Sequence, residues 1–185
     1  MKALIIIDVQ NEFSPTGKRP VPGHAEIIEA IRNKVAQARK EGIHIAWVRH
    51  FNRPTESPAF VPGSWGAEFV RGFGPDNTSE QGKEFSTSDK EKEFSKDVYG
   101  AFTGTDIGSW LKKINAGEVE IAGFYTHGCV STTAREAIMA GYEVYLHPEA
   151  TGSCDIVHEV LGIQTAEEVR RTALLQLANM GAHVL

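Results

Sequence analysis

Short apolar runs alternate with amphipathic stretches along most of this 185-residue chain. That alternation restricts the fold more than any other feature, because it is the signature of strands and crossover helices in a parallel sheet. Leu4 to Val9 is a continuous apolar run interrupted only by Asp8, as expected of a strand covered on both faces. The spacing predicts a helix from Ala25 to Lys40, with Ile28, Ile31, Val35 and Ala38 on one face and Gly42 as its left-handed stop. A strand over Ile43–His50 follows. Further on come a strand near Glu93–Ser95, a helix near Ile107–Asn115, a strand over Val119–Phe124, a helix over Cys129–Ala140 closed by Gly141, and a strand over Glu143–His147. The last helix opens on Thr165 and Glu168 at capping-box spacing, presents Val169, Ala173, Leu174 and Leu177, and gives way at Gly181 to a strand over Ala182–Leu185. The expectation is an α/β fold: one domain over residues 1–185, a doubly wound parallel sheet of about six strands, and helices on both faces. Sites in such sheets lie at the carboxyl ends of the strands.

The stretch from Phe51 to Asp89 is rich in Pro, Gly, Ser and Asn. A loop of that length in a compact domain is usually functional, and a substrate lid is expected. The formal net charge of −5 and scattered Lys and Arg residues argue against nucleic-acid or anionic-membrane partners and for a small-molecule substrate. The start, Met1-Lys-Ala-Leu-Ile-Ile-Ile-Asp, matches neither a signal peptide nor a membrane span, so a cytoplasmic location is expected and the Asn77-Thr78-Ser79 sequon is discounted. Two cysteines without a CxxC, Cys129 and Cys154, suggest neither a disulfide framework nor a thioredoxin-like motif.

Chemistry is concentrated in three places. Cys129 follows an apolar strand and a glycine-flanked turn, at the start of a helix pattern. Unpaired N–H groups and the positive end of the helix dipole stabilise a thiolate and an adjacent oxyanion there. Asp8 interrupts the first apolar run near its carboxyl end, where an unpaired carboxylate is costly, so it is paired, protonated, catalytic or a turn cap. Lys96 stands just after a short strand and by itself reads as a solvated lysine. Brought to one sheet edge, the three would form a nucleophile, a base and a balancing cation. The turn Asp8-Val-Gln-Asn-Glu-Phe has no dinucleotide fingerprint and no Walker A run is present. His44 and His50 share a strand face without an Asp or Glu joining them, which reads as core or rim histidines and no metal site.

Three segments resemble the isochorismatase-like cysteine hydrolase family: Ile7-Asp8-Val9-Gln10-Asn11-Glu12-Phe13, Lys96-Asp97-Val98-Tyr99-Gly100-Ala101-Phe102, and Gly123-Phe-Tyr-Thr-His-Gly-Cys129-Val130 with Thr132, Thr133, Ala134 and Ala137 after it. The resemblance extends over almost the whole chain. It implies a Cys-Asp-Lys triad of Cys129 as nucleophile, Asp8 as general base and Lys96 as its electrostatic partner. It also implies a non-proline cis bond at Phe124–Tyr125, an oxyanion hole from the Tyr125 and Cys129 N–H groups, and a homo-oligomer. The family's nicotinamidases carry an Asp-x-His metal motif at the end of the second strand, where this chain has Val48-Arg49-His50; the family's Ser before Ala-Phe is Gly100, and its Asp after strand five is Glu149.

The resulting expectation is a hydrolase without metal or cofactor, cleaving a C–N bond of a small amide or ureido compound through a Cys129 thioester. The alternatives are an ether hydrolase with Asp8 as acid, and a ligand-binding or redox-sensing protein without turnover. Phe13, Trp65, Phe102, Tyr125 and His127 are candidate pocket residues that could equally be ordinary aromatic packing, Trp65 least so because it sits in a Gly-rich loop. Arg49 could pair with a substrate carboxylate or form a structural ion pair.

Overall fold

The computed structural model describes residues 1–75 and 90–185. The strands are β1 (Lys2–Ile7), β2 (His44–His50), β3 (Glu91–Lys96), β4 (Glu118–Phe124), β5 (Glu143–Gly152), β6 (Ile156–His158), β7 (Gly162–Gln164) and β8 (His183–Val184); the helices are α1 (His24–Glu41), α2 (Ile107–Lys113), α3 (Ser131–Met139) and α4 (Ala166–Asn179). Six strands form one sheet in the order β3-β2-β1-β4-β5-β8, and its pairings are all parallel. Side-chain alternation sorts the core between two layers. Leu4, Ile6, Ile45 and Trp47 pack under α1, while Ala3, Ile5, Ile7, Ala46 and Val48 pack under α2, α3 and α4. The expected doubly wound sheet is therefore the observed one. No helix among the described residues is long and apolar enough to cross a membrane.

The differences lie at element ends. β1 stops at Ile7, so Asp8 stands just beyond the strand with φ 52°, its N–H bonded to Val48 O at 2.9 Å. The segment expected as the start of a helix at Cys129 is a π-helical turn, Thr126–Val130, broken at Gly128 and running into α3. β5 runs five residues beyond the expected His147, to Gly152. An antiparallel hairpin, β6 with β7, stands between β5 and α4 with Val157, Leu161 and Ile163 exposed; the sequence reading had no counterpart for it. Of the expected 51–89 loop, residues 51–75 are described, and Gln10 bridges to Phe69 within it. The rest of that loop, with the sequon, lies outside the described residues.

The strand order reverses between β1 and β4, since β2 and β3 lie to one side of β1 and β4 and β5 to the other. The crevice at such a reversal is where open α/β sheets bind ligands. Gly123, with φ 128°, makes the close approach possible: a Cβ on it would overlap the carbonyl of Ile7.

Candidate active site

Four neighbouring strands, β3, β2, β1 and β4, deliver one polar side chain each to their carboxyl ends: Lys96, His50, Asp8 and Cys129. Lys96 and His50 end their strands in direct register. Even spacing from Phe94 and Val48 turns both toward the sheet face that α3 covers. The Lys96 ammonium is fully enclosed and donates to Asp8 Oδ2 at 2.8 Å and to Cys129 Sγ at 3.1 Å, with His50 Nδ1 at 3.3 Å. Those three contacts match the three donors an ammonium carries. An Asp8 carboxylate oxygen, a His50 ring nitrogen and the Cys129 sulfur lie within 4.8 Å of one another. Such a donor set could ligate a metal ion. Here the cation it surrounds is the ammonium of Lys96, so a metal on the same three atoms would compete with a buried positive charge.

The electrostatics follow from burial. Desolvation, reinforced by the Asp8 charge and opposed by Lys96, pushes the Cys129 thiol well above the ordinary thiol range, so the resting sulfur carries its proton. Desolvation by itself would lower Lys96, but Asp8 and Cys129 outweigh it and raise the ammonium above its ordinary value. Asp8 Oδ1 is buried without a hydrogen-bond partner among the described residues. It is thus an acceptor beside a protonated thiol, held by a neighbouring cation.

The backbone around Cys129 is tightly organised. The Phe124–Tyr125 bond is cis, and the Tyr125 carbonyl accepts the N–H groups of Gly128 at 3.0 Å and Val130 at 3.1 Å. Tyr125 donates its hydroxyl to Arg19 O, and its ring stacks on His127, whose Nδ1 lies 3.1 Å from Ser153 Oγ. Burial lowers His127 and, with Cys154 beside it, raises the Tyr125 phenol. Tyr99, which was not among the expected pocket residues, is exposed and stands over Gly128, next to Cys129. Its place directly after Lys96-Asp-Val was the available signal.

The remaining expected pocket residues divide. Trp65 is exposed, on a short turn whose carbonyl Asn11 holds at 3.0 Å. Phe13 is buried in an aromatic cluster with Phe60, Phe124 and Tyr125, so it packs the core beside the site and is not a free pocket wall. Phe102 packs against Tyr142, with its N–H on Glu136. Of its two expected roles, Arg49 takes the structural ion pair. Alternation along β2 puts it on the sheet face opposite His50, where Glu93 and Glu68 pair with it and Phe51 and Phe69 stack on its guanidinium. Its carboxylate partners are within the chain.

Two supports were not legible as such. Gln10 is completely buried and donates to both His50 O and Ala67 O, while its own carbonyl accepts the His50 N–H. Glu12 is buried as well, accepting the N–H groups of Lys18 and Phe60, each at 2.9 Å. Gly66 leaves room for that carboxylate, since a Cβ there would meet Glu12 Oε2 at 2.5 Å. Both supports lie between Asp8 and Phe13, in the first of the three segments that carry the resemblance, although their residue types do not announce a burial.

Comparison with known proteins agrees with this architecture. The family model described as Isochorismatase domain matches residues 2–185. The nicotinamidase/pyrazinamidase of Mycobacterium tuberculosis is 29% identical over 198 residues, covering 96% of this chain and 98% of that protein. An isochorismatase from Pseudomonas putida KT2440 superposes with a TM-score of 0.85 at 27% identity, covering 99% of this chain and 86% of the other. The pyrazinamidase of Pyrococcus horikoshii, solved in complex with zinc, superposes with a TM-score of 0.77 at 26% identity, covering 100% and 98%.

Proposed function

The chain belongs to the isochorismatase domain family, and on that premise we propose that it is a metal-independent cysteine hydrolase cleaving the C–N bond of a small amide or ureido compound. The observation that carries the reading is the Lys96 ammonium bridging Asp8 Oδ2 at 2.8 Å and Cys129 Sγ at 3.1 Å inside a closed site. A protonated thiol beside a carboxylate is a nucleophile waiting for its base. The amidases among its relatives favour nitrogen as the leaving atom.

Asp8 takes the thiol proton as Cys129 sulfur attacks the substrate carbonyl. The new oxyanion is held by the N–H groups of Tyr125 and Cys129. As the tetrahedral adduct collapses, Asp8 returns the proton to the departing nitrogen, which leaves as ammonia or an amine, and the acyl group remains on sulfur as a thioester. Water then gives a proton to Asp8 and attacks the thioester; the acid departs and the thiolate regains that proton. Lys96 stays charged throughout, balancing whichever of Asp8 and Cys129 carries the negative charge.

The test is ammonia release from a panel of primary amides and ureido acids, nicotinamide and pyrazinamide included, with a metal chelator present and Cys129→Ala alongside. Release by the unmodified protein, an acyl adduct on Cys129 by mass spectrometry and none in the variant are expected. Undiminished turnover by Cys129→Ala would overturn the assignment, and ether hydrolysis surviving in that variant would put Asp8 acid chemistry in its place.

A further inference from the structure

We infer that His50 is a positioning residue for the Lys96 ammonium, a fourth member of the constellation; the inference rests on the reading of Cys129 as the nucleophile. The His50 ring is held on both sides. Nε2 lies 2.8 Å from Asn52 Oδ1, and Nδ1 lies 3.3 Å from Lys96 Nζ. Asn52 Oδ1 only accepts and an ammonium only donates, so one tautomer satisfies both: Nε2 carries the proton toward Asn52, and the Nδ1 lone pair faces Lys96. A protonated ring would set an N–H against the ammonium. His50 therefore presents an acceptor to the Lys96 ammonium.

The surroundings are built to keep that ring in place. Gln10 grips the His50 backbone at both N–H and C=O. Phe60 packs edge-on against the imidazole with centroids 5.5 Å apart, and Asn52 is itself anchored through Nδ2 to Ala59 O at 3.1 Å. A surface histidine would need none of this.

The consequence for Lys96 is geometric. A lysine has four rotatable side-chain bonds and a freely spinning ammonium, and contacts to Asp8 and Cys129 leave its third N–H undirected. With His50 as third acceptor, the ammonium stands on a tripod whose other two legs are the base and the nucleophile. Without it, the buried third donor has no partner, and Lys96 is drawn out of line with Cys129.

Three variants test this: His50→Leu, His50→Asn, whose Oδ1 can take the place of Nδ1, and Asn52→Ala. Cys129 is alkylated with iodoacetamide at neutral pH and its adduct followed by peptide mass spectrometry, which needs no knowledge of the natural substrate. His50→Leu is expected to slow alkylation by about tenfold, the effect of one unit of thiol pKa. His50→Asn should recover most of the rate and Asn52→Ala should fall between. On whichever amide the panel identifies, His50→Leu should lower kcat by roughly 10²-fold with KM little changed. Should His50→Leu fail to fold, Asn52→Ala carries the test. Unchanged alkylation in His50→Leu, or in Asn52→Ala where the first is unfolded, or no recovery in His50→Asn, overturns the inference. The expected alkylation pattern in a protein that releases no ammonia supports the positioning role while removing the proposed function.

Discussion

Gln10 holds His50 by both of its backbone groups, accepting the N–H at 2.9 Å and donating to the C=O at 3.0 Å, and so fixes the end of β2 against the turn that follows β1. Its second N–H reaches Ala67 O at 2.8 Å, which ties in the loop bearing Trp65. Replacing Gln10, whose side chain is fully buried, by Leu strips three backbone groups of their partner. A loss of about 2–3 kcal/mol is expected, seen as a melting temperature lower by about 4–12 °C for a chain of this size. Slower alkylation of Cys129 should accompany it.

Lys96→Met removes the cation from a closed site and leaves the Asp8 carboxylate buried without a counter-charge. Breaking a buried pair from one side costs about 3–5 kcal/mol. Urea titration should find that loss in Lys96→Met and a smaller one in the double variant with Asp8→Asn, in which neither charge of the pair remains. Neither protein should form an acyl adduct on Cys129.

Stability should decline on the alkaline side, with Cys129 as the first contributor. Burial and the Asp8 charge raise the folded thiol above its unfolded value, so its contribution is complete below about pH 8.5, the unfolded thiol value. Above that the unfolded chain ionises while the folded thiol keeps its proton, and stability is lost. Lys96 is raised too, and its contribution fades in the same sense but only above its own unfolded value of about 10.4. Between about pH 9 and 10 the unmodified protein should lose up to about 1.4 kcal/mol per pH unit more than Cys129→Ala. Urea midpoints across that range measure it; equal slopes would show that the thiol is not held protonated.

Glu12 organises the loop from the inside. Glu12→Ala frees the N–H groups of Lys18 and Phe60, at a cost of about 2–3 kcal/mol. Limited proteolysis should then cut residues 53–68 sooner than in the unmodified protein. With the turn that bears the exposed Trp65 loosened, KM should rise more than kcat falls.

Gly100 and Glu136 form a matched pair, because a Cβ at Gly100 would overlap the Glu136 carboxylate that accepts the Phe102 N–H at 2.9 Å. Gly100→Ser should push that carboxylate off its partner and cost about 1–2 kcal/mol. The penalty should shrink in a Glu136→Ala background, as a double-mutant cycle by thermal denaturation would reveal.

By itself the sequence determined the layers and the chemistry-bearing positions. Strand and helix periodicities are local properties, so runs such as Leu4–Ile7 and the Ile28-Ile31-Val35 stripe specify a covered parallel sheet before any contact is known. Motif resemblance singled out Asp8, Lys96 and Cys129, three residues scattered over more than a hundred positions. Only tertiary structure decided which side chains share one space. His50 and Arg49 are neighbours at the end of β2, and a pleated strand turns them to opposite faces; what waits on each face, the ammonium for one and Glu93 for the other, comes from a strand more than forty residues further on. Gln10 and Glu12 resemble surface residues in a polar turn; they are buried because the 58–68 loop folds over them and its backbone requires partners. A hydrogen bond across forty residues leaves no periodic trace in the chain, so the support of the site became visible only when the strands were laid side by side.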